Sequence, residues 1–352
     1  MRRLPHRSPL KAMIIALMAS TCASPALAEP LDRADRVEAL DILARRLDHY
    51  VMAGRKPDIL ARLAADREVL LALEDDEAFR AAVNRALLGA SRDKHLQLWR
   101  EQPRSADEAL SAPPSPDQMA EVEARDRFGL AEVRLLEGDV AYVKLNRFSG
   151  HPDVAGAIDA VLAEISGARA LILDLRGNGG GGEAALNRLM GHLVPAPIEL
   201  ATLYHRQCAP PPADRPDACV QLPERAVQRR WSDTVARPTF PSQPIFVLTS
   251  NATFSAAEEL AYDLRAEGRA TIIGETTGGG ANPSGMMDAG PHFSVVMPLA
   301  EARHPRTGGN WEGVGVAPDV AVPADAALDV AVSLAAAGDK SARVSPPASP
   351  VR

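Results

Sequence analysis

Three times in this chain a short apolar run stops at small residues and passes into an amphipathic stretch, and this strand, turn, helix order constrains the fold more than any other feature. Val140-Ala-Tyr-Val-Lys-Leu145 forms a hairpin with Ala131–Leu136 around Glu137-Gly-Asp139, and a helix follows from Val154 to Ile165. Ala168-Arg-Ala-Leu-Ile-Leu-Asp-Leu175 ends in Arg176-Gly-Asn-Gly-Gly-Gly-Gly182 before a helix over 183–193. Pro244-Ile-Phe-Val-Leu248 leads through Thr249-Ser-Asn-Ala-Thr-Phe-Ser255 into a helix marked by Leu260, Ala261 and Leu264. Continuous apolar strands alternating with helices predict an α/β domain with helices packed on a sheet. A strand at Ala270-Thr-Ile-Ile273, an antiparallel pair near His292–Met297 and the segment Trp311–Val320 complete it.

The remaining segments set the boundaries. Arg2, Arg3, Arg7 and Lys11, the apolar run Ala12–Ala19 and the small-residue triplet Ala26-Leu-Ala28 form a secretory signal over residues 1–28, with cleavage expected after Ala28. No later stretch approaches the roughly 20 apolar residues of a transmembrane helix, so a periplasmic or secreted protein with no stable membrane span is expected. Apolar stripes beginning at Leu31, Ile59 and Phe79 predict a small helical domain over 29–112. The proline-rich Ala112–Pro116 opens a linker over 113–126, the α/β domain occupies 127–337, and the Ser/Pro-rich residues 338–352 form a disordered tail. Cys208 and Cys219 flank a proline-rich segment; in an oxidising compartment they pair as a disulfide. A net charge of −7 without basic blocks excludes nucleic acid as partner.

Two turns are candidates for chemistry. Ser255 falls where strand becomes helix, beside free N–H groups and the positive end of the helix dipole; a nucleophile and its oxyanion hole can share that turn. The alternative is a helix cap, with Glu258 closing a capping box. Gly177-x-Gly179-x-x-Gly182 matches the dinucleotide fingerprint in letters, but Arg176 sits in the turn and an exported chain rarely meets NAD, so no cofactor is expected. Those glycines can instead bring N–H groups to a substrate carbonyl, or merely make a tight turn. A serine nucleophile needs a base. Of the histidines beyond the signal, His95 alone combines a domain-exit loop with neighbouring apolar anchors, Leu96 and Leu98. No H-E-x-x-H pair or clustered acidic loop marks a metal site, and no G-x-S-x-G elbow suggests an α/β-hydrolase esterase.

Thr249-Ser-x-x-Thr-Phe-Ser-Ala-Ala-Glu-Glu259, Gly268-Arg-Ala-Thr-Ile-Ile-Gly-Glu-Thr-Thr-Gly-Gly-Gly280, Leu173-Asp-Leu-Arg-Gly-Asn-Gly-Gly180 and Glu312-Gly-Val-Gly-Val-Ala-Pro-Asp319 together closely resemble the C-terminal processing (tail-specific) serine protease family over residues 127–325. Within it the chain looks most like the branch of the interphotoreceptor retinoid-binding protein modules and the tricorn core protease, with no PDZ insertion. The resemblance implies a ClpP/crotonase-like α/β catalytic domain and peptide or unfolded protein substrates. The bacterial processing proteases place their lysine base twenty-five residues past the nucleophile, where this chain has Gly280. The tricorn-like branch uses serine, histidine and glutamate, and the matching residues are Ser255, His95 and Glu312. By this analogy Ser255 attacks, His95 shuttles the proton, Glu312 orients the site, and the N–H groups of Ala256 and of Gly179 or Gly180 hold the oxyanion. Lys94 stands where that branch has a serine. The retinoid-binding relatives imply the alternative, a non-catalytic module binding an apolar ligand or peptide.

Overall fold

A computed structural model describes residues 32–100, 115–215, 218–290 and 292–337. The expected signal at 1–28 and tail at 338–352 lie outside the described residues. Three helices come first, α1 (Arg33–Arg46), α2 (Lys56–Leu71) and α3 (Asp76–Ser91), followed by the strand β1 (Gln97–Arg100). Next come α4 (Pro116–Arg125), the hairpin β2 (Leu130–Leu136) and β3 (Val140–Leu145), α5 (Val154–Glu164), β4 (Ala170–Asp174) and α6 (Glu183–Leu193). A second hairpin, β5 (Thr202–Ala209) and β6 (Val220–Gln228), precedes β7 (Ile245–Thr249), α7 (Ala256–Ala266) and β8 (Ala270–Gly274). The described chain closes with β9 (Ser284–Asp288), β10 (Phe293–Pro298), β11 (Ala300–Arg303), β12 (Val320–Ala321) and α8 (Ala327–Ala337).

The central sheet runs β12-β8-β7-β4-β3-β2, parallel except for the β2–β3 hairpin. Strand alternation explains why its middle strands are apolar throughout. Leu171, Leu173, Ile245 and Val247 enter a core with α5, α6 and α7, whereas Ile172, Phe246 and Leu248 face α8 through Ala327, Ala331 and Ala335. Because β4, β7 and β8 are parallel, the turns leaving their C-terminal ends gather at one edge, the usual site of chemistry in such sheets.

A second core packs α1–α3 on the sheet β1-β10-β9: Leu43, Phe79, Leu87, Leu96 and Leu98 share it with Phe293, Val295 and Met297. The helical segment is therefore joined to the later chain through β1 and β10, whose pairing matches Leu98 with Val295. The expected linker over 113–126 needs correction. Pro116–Arg125 is a helix, capped by Ser115 accepting from the Gln118 N–H at 3.2 Å, with Pro116 in the first turn where its missing N–H costs nothing. β5 and β6 pair on either side of the prolines, with Cys208 in β5 and Cys219 just before β6.

Candidate active site

Ser255 ends the turn after β7 with φ 56° and ψ −124°, a backbone region that L side chains avoid and that persists only where neighbours impose it. Here they do. The Phe254 N–H donates to the Asn178 carbonyl at 3.0 Å, and the Thr253 hydroxyl donates to the Leu175 carbonyl at 2.8 Å, tying this turn to the glycine turn after β4. From the helix side the Ser255 N–H donates to Glu258 Oε2 at 2.8 Å. Gly180, at φ 98°, lies so close that a Cβ there would stand 2.7 Å from Ser255 Cβ and 3.0 Å from the Ala256 nitrogen, so a glycine is required.

Glu258 does more than cap a helix. It is fully buried and also accepts from the Gly279 N–H at 2.6 Å, the Gly280 N–H at 2.8 Å and the Thr277 hydroxyl. Burial pushes its carboxyl pKa up, against these hydrogen bonds. One side chain thus fixes the serine turn relative to the glycine loop after β8. At Gly280 that loop meets the histidine: a Cβ would stand 2.7 Å from His95 Cε1 and closer still to the Phe254 ring. The position of the processing-protease lysine therefore has no room for a side chain. The His95 and Phe254 rings occupy that space, with centroids 4.5 Å apart.

His95 arrives from the other core, just before β1. Its backbone N–H donates to Asp93 Oδ1 at 2.9 Å, and Asp93 Oδ2 accepts from the Tyr50 hydroxyl at 3.0 Å. Glu312 Oε2 accepts from the N–H groups of Ala281 at 2.8 Å and Asn282 at 3.2 Å. A carboxylate oxygen of Asp93, a ring nitrogen of His95 and a carboxylate oxygen of Glu312 lie within 4.8 Å of one another. Burial pushes the His95 imidazolium below its ordinary pKa, with Asp93 opposing; burial and Asp93 push Glu312 up to about 7. His95 is thus kept in the neutral form that a general base needs.

The Ser255 turn, the Gly179–Gly180 turn and the His95 ring meet through Phe254, Gly180 and Gly280, with Glu312 beside His95. Of the expected oxyanion donors, the Gly180 N–H is corrected: it donates to Asn178 Oδ1 at 2.8 Å and is not free. Ala256 opens α7, and Gly179 directly precedes Gly180 in the glycine turn. Arg176 is structural, holding Asp174 at 2.6 Å and the Ala324 carbonyl at 2.7 Å. Lys94, in the serine position of the tricorn-like branch, turns away from that role and donates to the Gly278 carbonyl at 2.6 Å. Asp93 and Tyr50 escaped the sequence reading. The former could have been noticed as a carboxylate two residues before His95, whereas Tyr50 carried no local signal. Cys208 and Cys219 are joined, with Cα atoms 5.0 Å apart.

The model of "Peptidase family S41" matches residues 139–322, just over half of the chain. The Carboxyl-terminal-processing protease of Picosynechococcus sp. is 27% identical over 184 residues, 52% of this chain and 39% of that protein. The Carboxy-terminal processing protease CtpB of Bacillus subtilis is 25% identical over 197 residues, 54% of this chain and 36% of the relative. The chain thus spans well under half the length of these curated relatives. A candidate peptidase of Parabacteroides merdae shares the fold over 90% of this chain and 100% of its own, with TM-score 0.57 and 20% identity.

Proposed function

Since the chain belongs to peptidase family S41, we propose that it is an exported serine endopeptidase cleaving peptides or unfolded protein segments through Ser255, His95 and Glu312. In this reading Ser255 Oγ attacks the scissile carbonyl while His95 takes its proton, later passed to the leaving amine. The negative charge of the tetrahedral intermediate falls to the N–H groups of Ala256 and Gly179. Glu312, with Asp93 beside it, keeps the imidazole oriented and stabilises its protonated form. Export is supported by the signal-like residues 1–28 and by the Cys208–Cys219 bond, which suits an oxidising compartment. Among the described residues no helix is long and apolar enough to cross a membrane.

The observation that carries the reading is Gly280. Where the processing relatives would need a lysine, a Cβ is excluded by the His95 ring beside the residue preceding the candidate nucleophile. The test is intact-mass analysis after exposure to a fluorophosphonate probe. One adduct on Ser255 is expected, absent in Ser255→Ala and formed at least ~100-fold more slowly in His95→Ala. A folded wild-type protein that takes no probe would overturn the hydrolase reading in favour of a binding module.

A further inference from the structure

We propose that Asp93, His95 and Glu312 form a binding site for a zinc-class divalent cation, and that its occupancy switches the base off. The cation binding does not depend on the hydrolase reading; its inhibitory consequence does. Zinc ligands are imidazole nitrogens and carboxylate oxygens, and an imidazole in the set argues against magnesium or calcium. The three donor atoms, two from the segment before β1 and one from a loop more than 200 residues later, lie within 4.8 Å of one another. Around a tetrahedral zinc such atoms stand about 3.3 Å apart, so side-chain rotation must contract the set modestly.

Two further observations point to a ligand. His95 is 9% exposed, and among the described residues its buried Nδ1 and the buried Oε1 of Glu312 have no hydrogen-bond partner. In addition, the outer contacts that orient zinc ligands are already in place. Tyr50 and the His95 N–H hold Asp93, while the Ala281 and Asn282 N–H groups hold one oxygen of Glu312 and leave the other free. The other Cys/His/carboxylate group among the described residues, His49 with Cys208 and Cys219, has its thiols consumed by the disulfide.

Coordination disables the base whichever ring nitrogen is used. A lone pair given to the cation cannot accept the Ser255 proton, and the opposite nitrogen then carries the remaining N–H. No bond in the protein is made or broken. Removing the cation with a chelator restores the free imidazole.

The test is competition of the folded protein with a chromophoric chelator for zinc chloride, on the wild type and on Ser255→Ala. One zinc per chain is expected in both, with affinity at least tenfold weaker in His95→Ala and in Glu312→Gln, and unchanged in His49→Ala. Asp93→Asn, checked for folding by circular dichroism, serves if His95→Ala does not fold. Fluorophosphonate labelling of the wild type should slow at least tenfold at saturating zinc and recover with chelator. Failure to bind zinc, or binding indifferent to both His95→Ala and Glu312→Gln, would overturn the site. Zinc binding without any labelling would sink the hydrolase reading and keep the site, whereas labelling unchanged at saturating zinc would overturn the switch.

Discussion

The turn carrying Ser255 and the cluster carrying His95 touch at Gly280 but are built on opposite terms. Around Ser255 the polar groups are matched: Glu258 alone absorbs three N–H groups and a hydroxyl. Around His95 valences are left over, with Nδ1 of the ring and Oε1 of Glu312 both unpartnered among the described residues. A saturated buried network fixes a backbone, here one held in an unfavourable conformation, whereas an unsaturated one keeps its donors and acceptors for a proton, a substrate or an ion. Rigidity belongs to the candidate nucleophile and availability to the candidate base.

The comparison can be broken most severely at Glu258. Glu258→Ala leaves four donors, three of them buried, without this acceptor and should cost about 3 kcal/mol or more in chemical denaturation, with labelling of Ser255 lost even where the protein stays folded. A loss below about 1 kcal/mol would show that the turn holds itself.

Next is the pH response of the base cluster. The folded Glu312 pKa, about 7, lies above the ordinary 4.5, so the native state binds the extra proton and stability falls as pH rises from about 4.5 through 7. The full effect is at most about 3 kcal/mol. Glu312→Gln should flatten that slope and be the more stable protein at pH 8; an unchanged slope in denaturation curves would contradict it. The labelling rate, which follows neutral His95, should keep its acid limb below the pKa of an ordinary histidine.

Gly280→Ala pushes a methyl group into the Phe254 and His95 rings, and a cost of about 1–3 kcal/mol is expected in thermal unfolding. Labelling should slow disproportionately, since the displaced group is the proposed base. Smallest is Tyr50→Phe, which removes one donor from Asp93 and should cost about 1 kcal/mol. A much larger drop in labelling than in stability would mark Tyr50 as a positioning residue.

How much of this was legible in the sequence follows from range. β4, β7 and the helices after them were readable because burial on both faces writes an uninterrupted apolar run beside a glycine or small-residue turn. Ser255 and Gly179 were visible for the same local reason. α4 was hidden by its prolines, although Ser115 and Gln118 spelled a capping box. β6 escaped because its mostly exposed residues show no alternation, and α8 because its buried face is alanine. The proximity of His95 and Glu312 came only from resemblance, since no local pattern reports contacts across more than 200 residues. Asp93 and Tyr50, which depend on the same long-range packing, were missed.

The pairing of β1 with β10 also has a temporal meaning. A ribosome delivers His95 early, Ser255 much later and Glu312 later still, and the strand on which the His95 segment docks is completed only at Pro298. On the proposed roles a growing chain carries its nucleophile before it has a place to seat its base. On those roles the growing chain stays inert until the segment carrying Glu312 has been made, and the order of synthesis protects its own unfolded segments.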